Sequence, residues 1–145
     1  MKKLGLVVLT LVLLSFGYLA KAQDKAVGIW YNDVKDAKVE IYKAVNGKYY
    51  GKIIWLKEPN RNGSPKLDIN NSSSKLRTRP VLGMLILNGF NWDEDVYEDG
   101  TIYDPKNGKT YSCKITPDGK DKLNIRGYIG ISLIGRTTVW TRTTK

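Results

Sequence analysis

The sequence predicts an all-β fold, a single antiparallel, up-and-down barrel of roughly eight strands. Turn-forming residues recur at short intervals, and β-branched and aromatic residues fill the stretches between them. After the N-terminal apolar run, no stretch keeps a helical period for three turns. A closed barrel of this size just holds its own side chains or one small ligand.

The first residues predict a cleavable signal peptide over residues 1–22, which leaves 23–145 as a single β-barrel domain. A basic start precedes an apolar run over residues 4–20, and Ala20-Lys21-Ala22 forms a small-x-small cleavage site. The alternative, a membrane anchor, needs roughly 20 apolar residues, and here small residues and the cleavage site occupy the end of the run. No cysteine stands at the cleavage site, so a lipid-modified N-terminal cysteine is excluded. We expect a soluble protein of the periplasm or the cell exterior.

The charge balance is basic, with 24 lysine and arginine residues against 14 aspartate and glutamate residues. Cleavage removes lysines and no acidic residue, so the domain stays basic. No run of five like charges occurs, which is typical of a solvated surface. Because an exported protein rarely meets nucleic acid, we expect no such partner. Cys113 is the only cysteine, so the core must hold the fold without an internal disulfide.

The first half of the domain predicts three strands. Residues 27–31 form the first, and Val39 and Ile41 share one face of the second. Asn46-Gly47 separates the second strand from residues 48–56, and Asn-Gly is the preferred pair for a type I′ turn. We therefore predict an antiparallel hairpin with that turn.

A long polar segment over residues 57–80 interrupts the strands. It contains prolines, glycine and a serine and asparagine cluster, and it has no apolar period. Loops longer than about 12 to 15 residues are often functional or mobile, so this segment is a candidate lid or rim. The alternative is that the segment is an insertion without a function of its own. The apolar run of residues 81–87 then predicts a buried strand bent at Gly83, with a short core helix as the less favoured alternative.

The second half of the domain repeats the pattern of short strands and turns. Tyr111, Cys113 and Ile115 alternate with polar residues, as in a strand with one wet face. The predicted turns are Asp99-Gly100, residues 104–108, Asp118-Gly119 and the glycine-flanked residues 130–135, and a last strand covers 136–143.

Gly28-Ile29-Trp30 on the first strand and Arg142 on the last resemble the closure of calycin barrels, the group of lipocalins and fatty-acid-binding proteins. In those proteins a Gly-x-Trp closes the barrel floor and a late arginine packs over the indole. The first and last strands of a closed barrel are neighbours, and an arginine stacked on tryptophan contributes about 0.5 to 2 kcal/mol. The resemblance implies a structural role in barrel closure for Gly28, Trp30, Trp140 and Arg142.

Six motifs in order cover most of the domain. They are Gly28-Ile29-Trp30 and residues 50–56 (YGKIIWL), 76–83 (LRTRPVLG), 100–111 (GTIYDPKNGKTY), 123–130 (LNIRGYIG) and 135–142 (GRTTVWTR). Together they resemble a bacterial family of unknown function, domain-of-unknown-function family number 2147. The resemblance implies an exported, calycin-like barrel, and it brings no established activity or catalytic residues.

The residue types exclude several kinds of catalysis. The chain contains no histidine, which removes Ser-His-Asp and Cys-His machinery and the commonest metal ligand. Cys113 lies on the inward face of a strand, where a free cysteine behaves as a small hydrophobe. Residues 93–99 form an acidic cluster, but adjacent strand residues point to opposite faces and the spacing fits no calcium loop. We expect no catalytic site, no metal site and no cofactor, and so no enzyme.

Arginine and aromatic side chains supply the candidate binding site, because arginine suits carboxylates or phosphates and aromatic walls suit apolar ligands. The same residue types also serve in packing. The leading hypothesis is a non-catalytic binder of a small amphipathic or anionic, lipid-like ligand. The alternatives are an envelope protein with a filled barrel that binds a protein, glycan or membrane surface, and, least favoured, a carboxylate-based enzyme. The candidate ligand-binding residues are Arg77, Arg79, Tyr103, Tyr111, Arg126 and Tyr128.

Overall fold

The computed structural model describes residues 24–145. The predicted signal peptide, residues 1–22, lies outside the described residues and stays a prediction. Within residues 24–145, no helical segment combines the length and hydrophobicity that crossing a bilayer requires. This part of the chain forms ten strands and one short 3-10 helix, Ser74–Leu76. The strands are β1 Gly28–Tyr31, β2 Ala37–Lys43, β3 Tyr49–Leu56, β4 Asn60–Arg61, β5 Ser64–Pro65, β6 Leu85–Asp93, β7 Val96–Asp104, β8 Lys109–Asp118, β9 Lys122–Tyr128 and β10 Gly135–Thr143.

Eight of these strands close into one antiparallel barrel. The order around the barrel is β1-β10-β9-β8-β7-β6-β3-β2, and β4 and β5 form a separate small hairpin. The first and last strands complete the ring, with Trp30 opposite Arg142. The prediction of an all-β, up-and-down barrel of about eight strands is therefore confirmed.

The core consists of the inward side chains of the barrel. In β2, Ala37, Val39 and Ile41 are buried while the residues between them are partly exposed, which is the period of two that a strand imposes. Each of the eight barrel strands contributes at least one buried residue to the core. The alternation of apolar and polar residues in the sequence thus corresponds to the inner and outer faces of the barrel wall.

The β2–β3 hairpin forms where Asn46-Gly47 predicts it, but the turn type differs. Gly47 has a φ of 81°, and Asn46 is not among the described residues with positive φ, whereas a type I′ turn needs positive φ at both positions. The Gly47 amide donates to Ala44 O at 2.9 Å, and the Ala44 amide donates to Lys48 O at 2.8 Å. The turn is longer than the two-residue type I′ turn, and it ends on a glycine in the left-handed conformation. The type I′ prediction is therefore wrong.

The apolar run of residues 81–87 becomes a strand only from Leu85 onward. The Gly83 amide donates to Ile53 O at 2.7 Å and the Met84 amide donates to Val81 O at 3.1 Å, which makes a turn of the first four residues. Gly83 has a φ of 87°, which a regular strand does not contain. The glycine predicted to bend the strand therefore precedes it.

Asp99-Gly100 lies within β7 and is not the predicted turn. The pairing of β7 with β8 shifts register between Tyr97 and Gly100, and Asp99 has a φ of 62°, so the pair marks a β-bulge. A Cβ at Gly100 would overlap the ring of Phe90. This glycine makes room for a core aromatic ring.

Trp30 and Arg142 close one end of the barrel, which we call the floor. Trp30 has no exposed surface, and its indole N–H donates to Ala26 O at 2.8 Å. The Arg142 guanidinium lies over the indole, with Cζ 4.1 Å from the ring centroid. The same guanidinium joins the N-terminal segment and the β8–β9 turn to the floor by donating to the backbone oxygens of Lys25, Val27 and Lys120.

The arginine also explains the glycine of the Gly-x-Trp motif. Gly28 has a φ of 138°, and a Cβ at this position would collide with Nη1 of Arg142. The structure thus places Gly28, Trp30 and Arg142 together at the floor. Trp140, the fourth residue predicted for closure, is buried higher in the barrel, where it lines the interior.

Two tyrosines pack beside the floor. The ring centroids of Tyr49 and Tyr97 are 4.8 Å apart in an edge-to-face arrangement. The Tyr49 hydroxyl donates to Asp24 Oδ1 at 3.0 Å, and Tyr97 Oη accepts from the Ala26 amide at 3.1 Å. Burial raises the pKa of Tyr49, and it raises the pKa of Tyr97 and of Cys113 to about 12.

These raised pKa values predict a loss of stability in alkaline solution. In the unfolded chain a cysteine loses its proton at about pH 8.5 and a tyrosine at about pH 10, whereas folded Tyr97 and Cys113 keep theirs to about pH 12. In this window these two groups release their protons only in the unfolded state. Their contribution to stability is therefore fully present below about pH 8.5 and is lost as the pH rises towards 12. Urea unfolding should give a lower midpoint at about pH 11 than at about pH 8. Tyr97→Phe should reduce the difference, and equal midpoints for the unmodified protein would contradict the prediction.

Candidate functional site: an open cavity in the barrel

The end of the barrel opposite the floor, which we call the mouth, opens into a cavity of about 1170 Å³. The β1–β2 loop, the segment 57–84, the β7–β8 turn and the β9–β10 loop surround it. Small-molecule pockets commonly have volumes of about 300 to 1,000 Å³, so the space is sufficient for one such ligand. The barrel is hollow at this end, whereas the envelope-protein alternative requires a filled interior.

The inner wall of the cavity is apolar. Tyr111 and Trp140 contribute aromatic rings to it. In residues 24–145 the buried polar or charged residues are Asp68 and Asn71, and both belong to the segment between β3 and β6. The wall therefore offers an apolar surface without a buried charge. The aliphatic residues of the wall include Ala37, Val39, Ile53, Ile86, Ile102 and Ile125.

Charged residues line the mouth of the cavity. Lys106 Nζ lies 2.7 Å from Asp36 Oδ2, and although burial opposes it, hydrogen bonds from Lys106 and Asn32 hold the pKa of Asp36 below its ordinary value. Lys57 and Arg61 also line the mouth, and neither forms an ion pair with a carboxylate of residues 24–145. Two cations are thus available to a ligand. The other lining pairs are Lys66 with Glu58 and Arg136 with Asp33.

The buried carboxylate of Asp68 ties the long segment to the barrel. Asp68 Oδ1 accepts from the Tyr103 hydroxyl at 2.5 Å, and Oδ2 accepts from Asn71 Nδ2 at 2.8 Å and from Arg79 Nε at 2.9 Å. Burial and the bond to Asp68 raise the pKa of Tyr103. Tyr103 follows the cavity-lining Ile102, so its ring lies towards the outside of β7. The segment predicted as a lid or rim is an anchored rim.

Arg77 and Arg79, two of the predicted ligand-binding residues, take part in this anchoring. Arg77 Nε donates to Asn71 O at 2.7 Å. Arg79 binds Asp68, and its Cζ lies 5.4 Å from the centroid of the Tyr103 ring. Neither arginine lines the cavity. The structure places both in the rim, away from the apolar wall.

The three predicted tyrosines border the cavity, and the third predicted arginine does not. Tyr103, Tyr111 and Tyr128 are among the lining residues. Arg126 instead donates to Ser132 O at 2.6 Å and to Thr137 Oγ1 at 2.9 Å. The structure therefore places Tyr111 and Tyr128 at the cavity, keeps the Tyr103 ring at its border on the outer side of β7, and gives all three arginines protein partners. That any of the six binds a ligand stays a prediction.

Sequence reasoning missed two features of the mouth. The cationic pair of Lys57 and Arg61 depends on the path of the long segment, which no local pattern reveals. The β9–β10 loop, in contrast, carries a visible signal, because four aliphatic residues occur within residues 129–134. Exposed apolar clusters of this kind are informative. The loop residues are Ile129, Ile131, Leu133 and Ile134, each between 58% and 85% exposed.

The cysteine and the acidic cluster lie away from the mouth. Cys113 is fully buried in the core, and its raised pKa is the opposite of what an activated thiolate requires. Residues 93–99 surround the β6–β7 turn at the floor end. Residues 24–145 contain no group of three or more potential ligands placed to hold a metal ion.

A barrel that an arginine and a tryptophan seal at one end, and that opens to an apolar cavity at the other, is lipocalin-like. The family model described as "Uncharacterized protein conserved in bacteria (DUF2147)" matches residues 28–142, and the chain belongs to this family. The chain is also similar to a solved structure described as "Protein HP1028 from the human pathogen Helicobacter pylori belongs to the lipocalin family", with 27% sequence identity and a TM-score of 0.70. That match covers 82% of this chain and 83% of the other. A search of functionally curated proteins found no match.

Proposed function

We propose that this protein is an exported, non-catalytic binder of one small amphipathic molecule, with an apolar chain and an anionic head, such as a fatty acid. The main support is the cavity of about 1170 Å³, which is apolar inside and charged at its mouth. A ligand with one apolar end and one charged end matches that division.

The apolar wall would supply most of the affinity. Each methylene group that moves from water to an apolar surface contributes about 0.8 kcal/mol, and Ile53, Ile102 and Ile125 provide such a surface on different strands. The wall offers no buried charge that would have to lose its water when an alkyl chain enters. An alkyl chain is therefore the preferred content of the interior.

The mouth would hold the anionic head. Lys57 and Arg61 line the mouth without a carboxylate partner among the described residues. An ionised carboxylate or phosphate forms stronger hydrogen bonds with such groups than a neutral head does. The basic charge of the chain, 24 basic against 14 acidic residues, also attracts anions over longer distances.

The composition supports a role in binding over a role in catalysis. The chain contains no histidine, and the Cys113 thiol is buried outside the cavity lining. Catalysis needs a base, acid or nucleophile close to a bound substrate, and the side chains of the inner wall are mainly aliphatic. Export follows from the predicted signal peptide, and a poorly soluble lipid-like molecule needs a carrier in an aqueous compartment.

A pair of probes with the same chain length tests both parts of this proposal. Binding of a fatty acid and of the corresponding fatty alcohol can be measured by native mass spectrometry and by intrinsic tryptophan fluorescence, to which Trp140 in the cavity lining contributes. We expect both probes to bind because of the apolar wall, and the acid to bind more tightly because of the cations. If neither binds, the proposal is wrong, and if the alcohol binds as well as the acid, the anionic head is wrong.

A Gly127→Phe variant is expected to weaken binding of the fatty acid at least about tenfold by filling the cavity. Gly127 lines the cavity, and a Cβ there would make only ordinary contacts, at 3.7 Å, with Ile102 and Tyr111. The added ring can therefore enter the cavity without displacing the backbone. The matched control is Thr116→Phe, which adds the same ring to the exposed outer face of β8. Equal affinities of the two variants would show that the ligand binds elsewhere.

A further inference from the structure

The β9–β10 loop projects apolar side chains into solvent beside the mouth. Ile129 is 71% exposed, Leu133 is 85% exposed and Ile134 is 69% exposed. Ile129 and Ile134 also belong to the cavity lining. Four aliphatic residues in one short loop form a patch that soluble surfaces rarely present without a partner.

Hydrogen bonds hold this loop in shape and leave its side chains outside. Arg126 Nε donates to Ser132 O at 2.6 Å, and Arg126 Nη2 donates to Leu133 O at 3.3 Å. The Ile134 amide donates to Ile131 O at 3.1 Å. The backbone polar groups of the loop are thus partly satisfied within the protein. This favours transfer of the loop into an apolar medium, because unpaired backbone groups are costly there.

The hairpin that carries the loop has charges of one sign only. From residue 122 to residue 145 the sequence contains no aspartate or glutamate. Arg136 has a side chain that is 85% exposed, and Tyr128 stands at the base of the loop. Basic residues and tyrosine next to an apolar tip are typical of segments that lie at the surface of an anionic membrane. Of the basic residues of the hairpin, Arg126 and Arg136 flank the loop, whereas Lys122, Arg142 and Lys145 lie at the floor end.

We propose that the β9–β10 loop inserts into the surface of an anionic lipid bilayer, with Arg136 at its base and the mouth cations Lys57 and Arg61 against the headgroups. The aliphatic tip leaves water for the acyl region, and these three cations are attracted to anionic lipids. A fluid lipid surface fits a narrow protruding tip better than a flat protein interface does. Insertion would turn the mouth of the cavity towards the membrane.

Vesicle sedimentation tests this surface without reference to the cavity. The protein without its first 22 residues, which contains the whole barrel, is mixed with vesicles of phosphatidylcholine alone or with added phosphatidylglycerol. We expect binding to the anionic vesicles, weakened at least about tenfold in the Ile131→Ser/Leu133→Ser variant. The control is Val45→Ser, which removes a fully exposed aliphatic residue in the β2–β3 turn at the floor and should bind as the unmodified protein does.

A fluorescent label gives a second measure of insertion. Cys113 is buried, so a cysteine introduced by Leu133→Cys can be labelled alone in the folded protein with an environment-sensitive dye. We expect its emission to shift to the blue with anionic vesicles, and the same label after Val45→Cys to show no shift. Lack of vesicle binding, unchanged binding of the serine variant, or equal shifts at both positions would overturn the proposal. So would self-association in solution through the loop, seen by sedimentation velocity as a dimer that the serine variant cannot form.

Discussion

Replacing Trp30 with alanine is expected to lower the free energy of unfolding by about 4 kcal/mol, as loss of a large core aromatic ring usually does. The Trp30 side chain is entirely buried at the floor. The change removes the stacking contact with Arg142 and the hydrogen bond to Ala26 O. It also leaves a void that the closed wall cannot fill, because β1 is held on both sides by β2 and β10. Equilibrium unfolding in guanidinium chloride measures the loss.

Trp55→Ala provides the matched control for this prediction. The Trp55 side chain is 38% exposed, and its ring meets Tyr31 edge-on, with centroids 6.1 Å apart. Because this indole lies on the outer side of the barrel, we expect a loss of about 1 kcal/mol. Equal losses of stability in the two variants would contradict the prediction, because the contacts of Trp30 indicate that it stabilises the floor far more than an outer tryptophan does.

The barrel and its floor were predictable because both follow from short-range patterns and one topological rule. The alternation of Val39 and Ile41 with polar residues identifies an inner and an outer face in β2. Once the strands close into a ring, the first and last must pair, and Trp30 then lies opposite Arg142. The contact joins two residues from opposite ends of the domain, and barrel closure alone brings them together.

The partners of the arginine side chains were not predictable, because a guanidinium binds backbone oxygens as well as it binds anions. Arg126 illustrates this: the sequence places it near the mouth, and its donors are used by Ser132 O, Leu133 O and Thr137 Oγ1. The choice between ligand and protein partner depends on how the following loop folds back. No pattern around Arg126 contains that information.

The cavity itself could not be predicted from the sequence either. An inner face of aliphatic residues has the same pattern in a filled barrel and in a hollow one, and the free volume depends on strand tilt and on the loops at the end. Here the rim residues Leu67 and Ile69 border the cavity. Their position depends on Asp68 between them, whose main partner, Tyr103, is 35 residues away in sequence.

Replacing Asp68 with alanine is expected to lower the free energy of unfolding by about 3 kcal/mol and to release the rim. The Tyr103 hydroxyl loses its acceptor, and a buried donor left without a partner costs about 1 to 3 kcal/mol. The Asn71 amide loses its bond to Asp68 and keeps the one to Tyr103 Oη at 3.1 Å. Arg79 adds little, because its side chain is 37% exposed and regains water. Urea unfolding measures the loss, and limited proteolysis should cut the segment 57–84 of the variant faster.

The control and the partner variant decide whether the buried carboxylate has this role. Asp118→Ala removes an exposed carboxylate at the end of β8 and should change stability by no more than about 0.5 kcal/mol. Tyr103→Phe in the Asp68→Ala background removes the orphaned hydroxyl, so the double variant should lose less stability than the sum of the single variants. Strictly additive losses would mean that Asp68 and Tyr103 act independently. The rim would then owe its position to its apolar residues, because only a shared hydrogen bond makes the two substitutions interdependent.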